Sequence, residues 1–347
     1  MAEECSSIWV GYGGIARVMM RTAEKKEWLK TVGIVDVNQE ALAEAGSTLS
    51  LSDDMLFTDL KEALAAAPAD TVVINTPSHI HYDQVRLSLE AGKHVLVAKP
   101  FTNDFEQAKA LVELAEKQNL KLGVNQQVRY NRHYTAVRRF LATGRLGSVE
   151  MVFLLNAKPR RKVLNLAGME QPVLFEWSCH HFDSLMSLFP NRRPVWVQAQ
   201  GFRPSWSVYD GPCSINGFML LEQNLNVLYH AGFSSQADMY ELRLEGSEGV
   251  LRCRGRNMNG VNMRYELAMK GGSWEEVDLE ADLPENDPFG SLFDAWRKYV
   301  TQGSEPPFSG RKNLAPFALL GGVIESVQSD GRIEILNNPR YIEAFSG

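Results

Sequence analysis

The sequence contains few cysteines, and they do not form the patterns that bind zinc or build a disulfide framework. Its four cysteines, Cys5, Cys179, Cys213 and Cys253, lie far apart and include no Cys-x-x-Cys pair. This spacing argues against a metal site and favours reduced thiols in the cytoplasm. No apolar run reaches the roughly 18 residues that a membrane helix requires. The acidic start also lacks the basic residues of a signal peptide. We therefore expect a cytoplasmic protein with no metal and no membrane partner.

Blocks of like charge, low-complexity tracts and internal repeats are also missing. The formal net charge of -6 disfavours unspecific attraction to nucleic acid or to an anionic membrane surface. What remains is a globular composition, with 44% hydrophobic residues in 347 residues. A chain of this length predicts about two domains.

The first part of the chain alternates short apolar runs with segments of helical composition. The runs are residues 8–10, 32–36, 71–75, 94–97 and 120–124. Continuous Val/Ile runs predict strands that are buried on both faces, and the intervening helices predict parallel crossovers. We expect a doubly wound α/β domain of the Rossmann type over residues 1–125.

From about Gly147 the strand-like runs are longer and several are joined by hairpin-like turns. These runs are residues 149–156, 195–202, 216–233, 241–254 and 262–269. Strands without helices between them predict an antiparallel sheet. Helical composition returns at residues 289–301 and 315–328. We expect a second, α+β domain over residues 126–347.

A glycine cluster between the first strand and the first helix indicates the cofactor. Gly11, Tyr12, Gly13, Gly14, Ile15 and Ala16 fit the fingerprint Gly-x-Gly-x-x-Ala of dinucleotide-binding domains. Gly11 permits the tight turn, Gly13 lets the backbone approach the pyrophosphate, and Ala16 lets the helix pack closely. The helix N-terminus then offers N–H groups to the phosphates.

Asp36 ends the second apolar run and selects the cofactor. Its carboxylate can accept hydrogen bonds from the adenosine ribose, and its charge would repel a 2′-phosphate. The next two residues are Val37 and Asn38, so no arginine directly after Asp36 could bind such a phosphate. The sequence therefore favours NAD over NADP.

Several motifs, in this order, resemble the glucose–fructose oxidoreductase / inositol dehydrogenase / rhizopine catabolism (Gfo/Idh/MocA) family over essentially the whole chain. They are the glycine cluster, Asn75-Thr76-Pro77-Ser78-His79-Ile80-His81, Lys99-Pro100, Arg129-Tyr130, Glu176-x-x-x-His180-x-x-Asp183 and Gly310-Arg311-Lys312-Asn313-Leu314. The resemblance implies a C-terminal domain with a large open, mainly antiparallel sheet. That sheet often forms the subunit interface, which implies a homodimer or homotetramer. The family resemblance also implies that Asn75, Thr76, Pro77 and His81 lie beside the cofactor.

The family resemblance implies that the chain moves a hydride between a nicotinamide and a secondary hydroxyl or carbonyl of a sugar, sugar derivative or cyclitol. Such a reaction needs a group that handles the hydroxyl proton. Lys99 follows an apolar run and should emerge at the carboxyl edge of the sheet, although a solvated surface lysine would fit the position too. The resemblance places His180 at the family's acid/base position and Glu176 where an aspartate is common. The alternative for His180 is a buried histidine whose hydrogen bonds are satisfied within the protein. Glu176, His180 and Asp183 would share one helix face, from which Glu176 could orient the imidazole.

The chain departs from the family pattern before Lys99, where Ala98 replaces a common glutamate. This change removes one partner of the lysine and leaves the direction of the reaction and the substrate class open.

Substrate contacts are expected from residues of the second domain. Arg160 or Arg161, in the run Lys158-Pro159-Arg160-Arg161-Lys162, could bind a carboxylate or phosphate, although a solvated loop is the alternative. Trp177 could stack on a sugar or pack in the core. Arg129 and Tyr130 either line the floor of the cleft or only join the domains, and Trp206 and Tyr209 are weaker candidates. His180 and Asp183, together with Lys99 of the first domain, are also expected near the substrate.

Two further functions use the same motifs. One is NAD-assisted glycoside cleavage, in which transient ring oxidation is followed by elimination and no net NADH forms. The other is a non-catalytic dinucleotide-binding regulator, which the loss of the glutamate before Lys99 would fit.

Overall fold

A computed structural model describes residues 4–163 and 171–345. The chain divides into two compact units. The first contains the residues up to Gln127 together with Phe289–Leu314, and the second contains Val128–Pro288 together with the residues from Ala315 onward. The first unit thus also takes in Phe289–Leu314, which the predicted division after residue 125 assigns to the second domain.

A six-stranded sheet forms the centre of the first unit. Its strands are β1 (Cys5–Val10), β2 (Leu29–Val35), β3 (Leu56–Phe57), β4 (Thr71–Ile74), β5 (His94–Ala98) and β6 (Leu122–Asn125). They run parallel in the order β3-β2-β1-β4-β5-β6. The order reverses between β1 and β4, and ligands bind in the crevice at the carboxyl ends of such strands.

Helices connect these strands, and most begin at a capping side chain. They are α1 (Gly14–Ala23), α2 (Gln39–Leu49), α3 (Leu60–Ala66), α4 (His81–Glu90) and α5 (Phe105–Lys117). Asn38, Asp59 and Asp104 accept hydrogen bonds from backbone N–H groups in the first turns of α2, α3 and α5. These caps fix where each helix starts.

Two helices of the second unit precede and follow its first strand. They are α6 (Arg132–Ala142) and α7 (Cys179–Leu188), and a π-helical turn over Leu174–Ser178 leads into α7. The ring of Phe182 in α7 lies 5.1 Å from that of Tyr229. Aromatic contacts of this kind seat the helices on one face of the sheet.

That sheet has nine strands and is mainly antiparallel. The strands are β7 (Val149–Pro159), β8 (Pro194–Phe202), β9 (Ser214–Leu221), β10 (Leu225–Gly232), β11 (Ser234–Gly246), β12 (Gly249–Gly255), β13 (Arg264–Met269), β14 (Glu275–Val277) and β15 (Arg332–Glu334). Their order is β14-β13-β12-β11-β7-β10-β9-β8-β15, so the sheet is open. Within this sheet, β7 and β10 are the only two described strands that pair in parallel. Together the two sheets confirm the predicted fold class.

The other face of this sheet carries a row of directly paired residues that are half-buried or exposed. Along the register the row contains Gln198, Phe218, Leu228, Phe153, Arg243, Arg252 and Glu266. Phe218 is 59% exposed, and Met151, two residues before Phe153 on β7, is 49% exposed. We call Met151, Phe153, Phe218 and Leu228 the apolar stripe.

The chain returns to the first unit over Phe289–Leu314. This stretch contains nearly all of α8 (Pro288–Gln302) and the start of α9 (Gly310–Ser329), and the rest of α9 belongs to the second unit. The Trp9 and Phe293 rings lie 6.1 Å apart, and the backbone N–H of Val124 donates to Phe308 at 2.9 Å. A Cβ on Gly123 would lie 3.0 Å from the Trp296 ring, so glycine is needed for this close packing. The returning segment is therefore part of the first unit's core.

None of the helices in the described parts of the chain is long and apolar enough to cross a membrane. The four cysteines are buried and carry free thiols.

Candidate active site

The glycine turn joins β1 to α1 and leaves the start of the helix open. Gly11 takes φ of +87°, and a Cβ there would lie 3.1 Å from the carbonyl of Asn75, so only glycine fits. A Cβ on Gly13 would meet nothing within 4 Å. No side chain of the described residues caps α1 at Gly13, so the first N–H groups of the helix can bind phosphate oxygens.

Asp36 ties the end of β2 to this turn. Its Oδ2 accepts from the backbone N–H of Tyr12 at 2.7 Å, and its Oδ1 accepts from the N–H of Asn38 at 2.9 Å. Each carboxylate oxygen keeps a further lone pair with which it can accept from a ribose hydroxyl.

Three predicted residues of the glycine cluster contribute differently. Ile15 is 42% exposed, whereas the Tyr12 side chain is 3% exposed and Ala16 is fully buried. Tyr12 and Ala16 thus act through their backbone and through helix packing.

Asn75 follows β4 and lies against β1, because its N–H donates to the carbonyl of Val10 at 2.7 Å. The residue is 8% exposed. Neither polar atom of its side-chain amide has a hydrogen-bond partner among the described residues. A buried amide without partners is costly. Its position beside the glycine turn therefore points to a polar ligand.

A cavity of about 440 Å³ opens at the carboxyl ends of β1, β2 and β4. Predicted residues line it, namely Gly11, Gly13, Asp36, Asn75, Thr76 and Pro77. The sequence did not indicate the remaining polar and apolar lining, which includes Thr58, Lys61, Ile80, Gln84 and Leu87. Thr76 Oγ1 donates to Gln84 Oε1 at 2.5 Å, which fixes this loop against α4. The open helix start, the acidic end of β2 and the buried amide together fit a dinucleotide.

His81, expected beside the cofactor, is fully buried and connects two loops. Its Nε2 lies 2.9 Å from the carbonyl oxygen of Thr76, and its Nδ1 lies 3.0 Å from that of Pro100. Burial lowers the pKa of His81 more than these carbonyl groups raise it. The ring therefore links the loop that lines the cavity to the loop that carries Lys99.

Lys99 follows β5 directly and is half-buried. Ile74 of β4 pairs with Val97 of β5. Since parallel strands end at the same edge, Asn75 and Lys99 both emerge at the carboxyl edge of the sheet. The structure thus gives Lys99 the edge position that the sequence predicts.

In the second unit, His180 lies in the first turn of α7 and is 5% exposed. Glu176 precedes it in the π-helical turn, so these two residues do not share one regular α-helix. Glu176 forms an ion pair with Arg160, and both side chains are mostly buried.

Aromatic rings surround this ion pair. The Arg160 guanidinium lies 4.8 Å from the centroid of the Phe233 ring, and the Lys158 ammonium lies 4.2 Å from that of Trp177. The Trp177 and Phe233 rings are 5.1 Å apart. Trp177 thus contacts a cation and a buried aromatic ring.

Arg129 and Asp183, both expected at the substrate, form a buried bidentate ion pair. Arg129 Nε and Nη2 each lie 2.9 Å from an Asp183 carboxylate oxygen. Burial raises the pKa of Asp183 to about 6, although the Arg129 charge opposes this shift. The pair joins the turn Gln127–Tyr130 to α7.

His181 is held inside the domain by polar neighbours. Its Nδ1 lies 2.8 Å from Tyr229 Oη, and Asn156 Nδ2 lies 2.8 Å from its Nε2. Tyr229 Oη donates to Ser178 Oγ at 2.6 Å. These contacts give His181 a structural role inside the second unit.

The weaker candidates lie around the same region of the second unit. Trp206 is 62% exposed and donates from Nε1 to the carbonyl of Ser234 at 2.7 Å. Tyr209 is buried, and its ring lies 6.0 Å from that of Phe233. Arg161 and Lys162 are exposed.

The arrangement can be compared with known proteins. A family model described as "Oxidoreductase family, NAD-binding Rossmann fold" (GFO_IDH_MocA) matches residues 7–126. This match confirms the predicted NAD-binding Rossmann domain and its NAD cofactor.

Two relatives and one solved structure extend the likeness over most of the chain. Inositol 2-dehydrogenase of Rhizobium meliloti is 32% identical over 346 residues, which are 94% of this chain and 98% of that protein. An uncharacterized oxidoreductase of Schizosaccharomyces pombe is 42% identical over 267 residues, which are 73% of this chain and 66% of that protein. Aldose-aldose oxidoreductase from Caulobacter crescentus, complexed with glycerol, has a TM-score of 0.84 at 19% identity and covers 96% of this chain and 100% of that chain. This last likeness supports the fold.

Proposed function

The chain belongs to the GFO_IDH_MocA oxidoreductase family, and we propose that it interconverts a secondary hydroxyl and a carbonyl on a sugar, sugar derivative or cyclitol. The observation that carries this proposal is the linkage through His81. One side chain holds both the loop that lines the dinucleotide cavity and the loop that carries Lys99. The inositol 2-dehydrogenase relative supports the substrate class.

Bound NAD supplies the redox chemistry of this reaction, accepting or donating a hydride. The glycine turn, Asp36 and Asn75 would hold it. Lys99 is positioned at the same sheet edge, where an ammonium can hydrogen-bond the reacting oxygen and stabilise negative charge on it. We propose that Lys99 and His180 transfer the proton of the reacting hydroxyl group. Proton transfer by such placed groups contributes roughly 10²- to 10⁴-fold to the rate.

We assign Glu176 a supporting role. Its ion pair with Arg160 fixes the turn from which α7 and His180 begin. Lys99 would act without a carboxylate directly before it, because Ala98 is apolar and 9% exposed.

We also propose that the protein forms a homo-oligomer and works in the cytoplasm. The four buried free thiols favour a reducing compartment. The apolar stripe on the open face of the second sheet offers a surface for a second copy.

The test is a panel of monosaccharides, sugar acids, inositols and glycosides with NAD, followed through NADH absorbance. We expect stoichiometric NADH with at least one polyol. Lys99→Ala and His180→Ala should each lower kcat by about 10²-fold or more. Titration of protein fluorescence should show NAD binding within a few-fold of the parent.

The two other functions give different results in this panel. Cleavage of a glycoside without net NADH would identify the redox-neutral reaction. Tight NAD binding with no turnover of any compound would favour a regulator and overturn the proposal.

A further inference from the structure

We infer that the substrate carries an anionic group, a carboxylate or a phosphate, which binds to a basic cluster in the second unit. The basic cluster consists of Lys158, Arg160, Arg161 and Lys162. This inference rests on the proposed function and names its substrate class.

The basic cluster is connected by an ion pair to the segment that precedes His180, the proposed acid/base residue. It begins at the carboxyl end of β7 and is joined to the π-helical turn by the ion pair between Arg160 and Glu176. Glu176 precedes His180 by four residues, and the π-helical turn that contains Glu176 leads directly into α7, which carries His180. A group bound at the cluster would therefore lie near the imidazole.

The two inner cations of the cluster are fixed against aromatic rings. The Lys158 ammonium lies 4.2 Å from the Trp177 centroid and 5.6 Å from the Phe233 centroid. The Arg160 guanidinium lies 4.8 Å from Phe233, and its side chain is only 16% exposed. Cations held over aromatic rings are partly desolvated and lose little entropy when they bind an anion. The charge of Arg160 is already balanced by Glu176, so Arg160 offers an anion hydrogen-bond donors in a fixed position.

The two outer cations keep their charge unneutralised by protein. Among residues 4–163 and 171–345, Arg161 and Lys162 form no ion pair, and Arg161 has a hydrogen bond to Gln236 of 3.4 Å. Asp238, which follows Gln236 by two residues, pairs with Arg256 at 2.7 Å. In a chain with a net charge of -6, this is a local excess of positive charge.

The chemistry of these side chains favours an anion over a neutral sugar. Arginine and lysine donate hydrogen bonds and accept none, and the guanidinium fork fits carboxylate and phosphate oxygens. Neutral hydroxyl groups are equally well bound by acceptors, and an excess of cations gives them no advantage.

The experiment compares substrates that differ only in the anionic group. Glucose is paired with glucuronate and with glucose 6-phosphate, galactose with galacturonate, and myo-inositol with an inositol monophosphate. We expect kcat/KM to be about tenfold or more higher for one anionic member of a pair, and its KM to rise with salt as charge is screened. The uronate and phosphate arms identify which anion is bound.

Variants assign this preference to the basic cluster. Arg161→Gln and Lys162→Gln together should lower the ratio of anionic to neutral kcat/KM about tenfold, mainly through the KM of the anionic substrate. Lys270→Gln is the matched control, because Lys270 is exposed and lies beside Glu248, at the opposite end of the sheet from the end of β7. Thermal stabilisation of the NADH complex by each compound provides a readout that does not need turnover.

The results separate the two proposals. Turnover with no anionic preference, or a preference that the double variant leaves intact, would overturn the inference and leave the proposed function standing. Stabilisation by an anionic compound that depends on Arg161 and Lys162, without turnover of any compound, would overturn the proposed function alone.

Discussion

His81 shows how one buried side chain can organise a site without touching a ligand. A neutral imidazole carries one N–H group, yet both ring nitrogens of His81 face carbonyl oxygens. The motif placed this residue beside the cofactor, and the sequence could not show that its ring points into the protein. Its contacts with Thr76 and Pro100 depend on the fold of two loops that are far apart in sequence.

We expect His81→Phe to lower kcat by about 10- to 100-fold, because Lys99 is then free to shift by a fraction of an ångström. His81→Gln keeps a donor and should restore part of the loss. The exposed His79 provides the control variant His79→Phe. Steady-state kinetics and NAD titration measure both variants; an unchanged kcat in His81→Phe would contradict the positioning role.

Asp36 has a second task beside cofactor selection, since its oxygens also fix the backbone of the glycine turn. We expect Asp36→Ser to lower the ratio of the NADP to the NAD dissociation constant about tenfold, because the charge that repels the 2′-phosphate is removed. Lys61 lines the same cavity and would favour the phosphate further. Dissociation constants for both cofactors measure the change. Asp53→Ser removes an equal charge from an exposed turn, and a similar effect there would mean that Asp36 has no specific role.

At the scale of elements, the apolar runs predicted most strands, and the structure shows what such runs cannot reveal. The run 216–233 contains two strands, β9 and β10, because Gln223 and Asn224 take φ of 56° and 60° and reverse the chain. Asn is common in such turns, and the polar residues Glu222, Gln223 and Asn224 interrupt the apolar pattern at this point. The strand β3 has only two residues, which is too short for any periodicity. The cavity residues Thr58 and Lys61 follow it and were missed with it.

A buried histidine joins α6 to two strands and couples stability to pH. His133 Nε2 lies 2.7 Å from Tyr240 Oη on β11, and Nδ1 lies 3.2 Å from Tyr265 Oη on β13. Burial lowers the pKa of His133 to about 3, below the value of about 6.5 in an unfolded chain. The unfolded state thus binds a proton more readily, so His133 makes the protein less stable as the pH falls from about 6.5 towards 3.

Protonation of His133 in the unfolded chain should make the free energy of unfolding about 2 kcal/mol lower at pH 5 than at pH 7.5. We expect His133→Gln to remove most of this difference, whatever its effect on stability at pH 7.5. Urea unfolding at both pH values measures it, with His79→Gln as the exposed control. An unchanged difference in His133→Gln would show that other groups cause the acid sensitivity.

At the scale of the whole molecule, the parallel contact between β7 and β10 brings strands that are far apart in sequence to the middle of the second sheet. Neither run shows a local signal for this pairing, since it depends on the order in which the whole sheet assembles. The apolar stripe is a product of that order, because Phe218, Leu228 and Phe153 lie on three adjacent strands.

We expect Phe218→Glu to dissociate the proposed homo-oligomer to a monomer of 38.9 kDa, because a carboxylate would be buried in the interface. Light scattering after size-exclusion chromatography measures the mass. Val261→Glu is the control, since Val261 is 41% exposed in the loop between β12 and β13. A parent protein that is itself monomeric would contradict this use of the apolar stripe.

The return of residues 289–314 to the first unit also sets an order of events during synthesis. When residue 127 leaves the ribosome, Trp296 and Phe308, which pack against Gly123, have not yet been made. Domains usually fold as units in the order of their appearance. Here the core around β6 is completed only when nearly the entire chain has emerged, so a nascent or truncated chain lacks part of the packing of the NAD-binding unit.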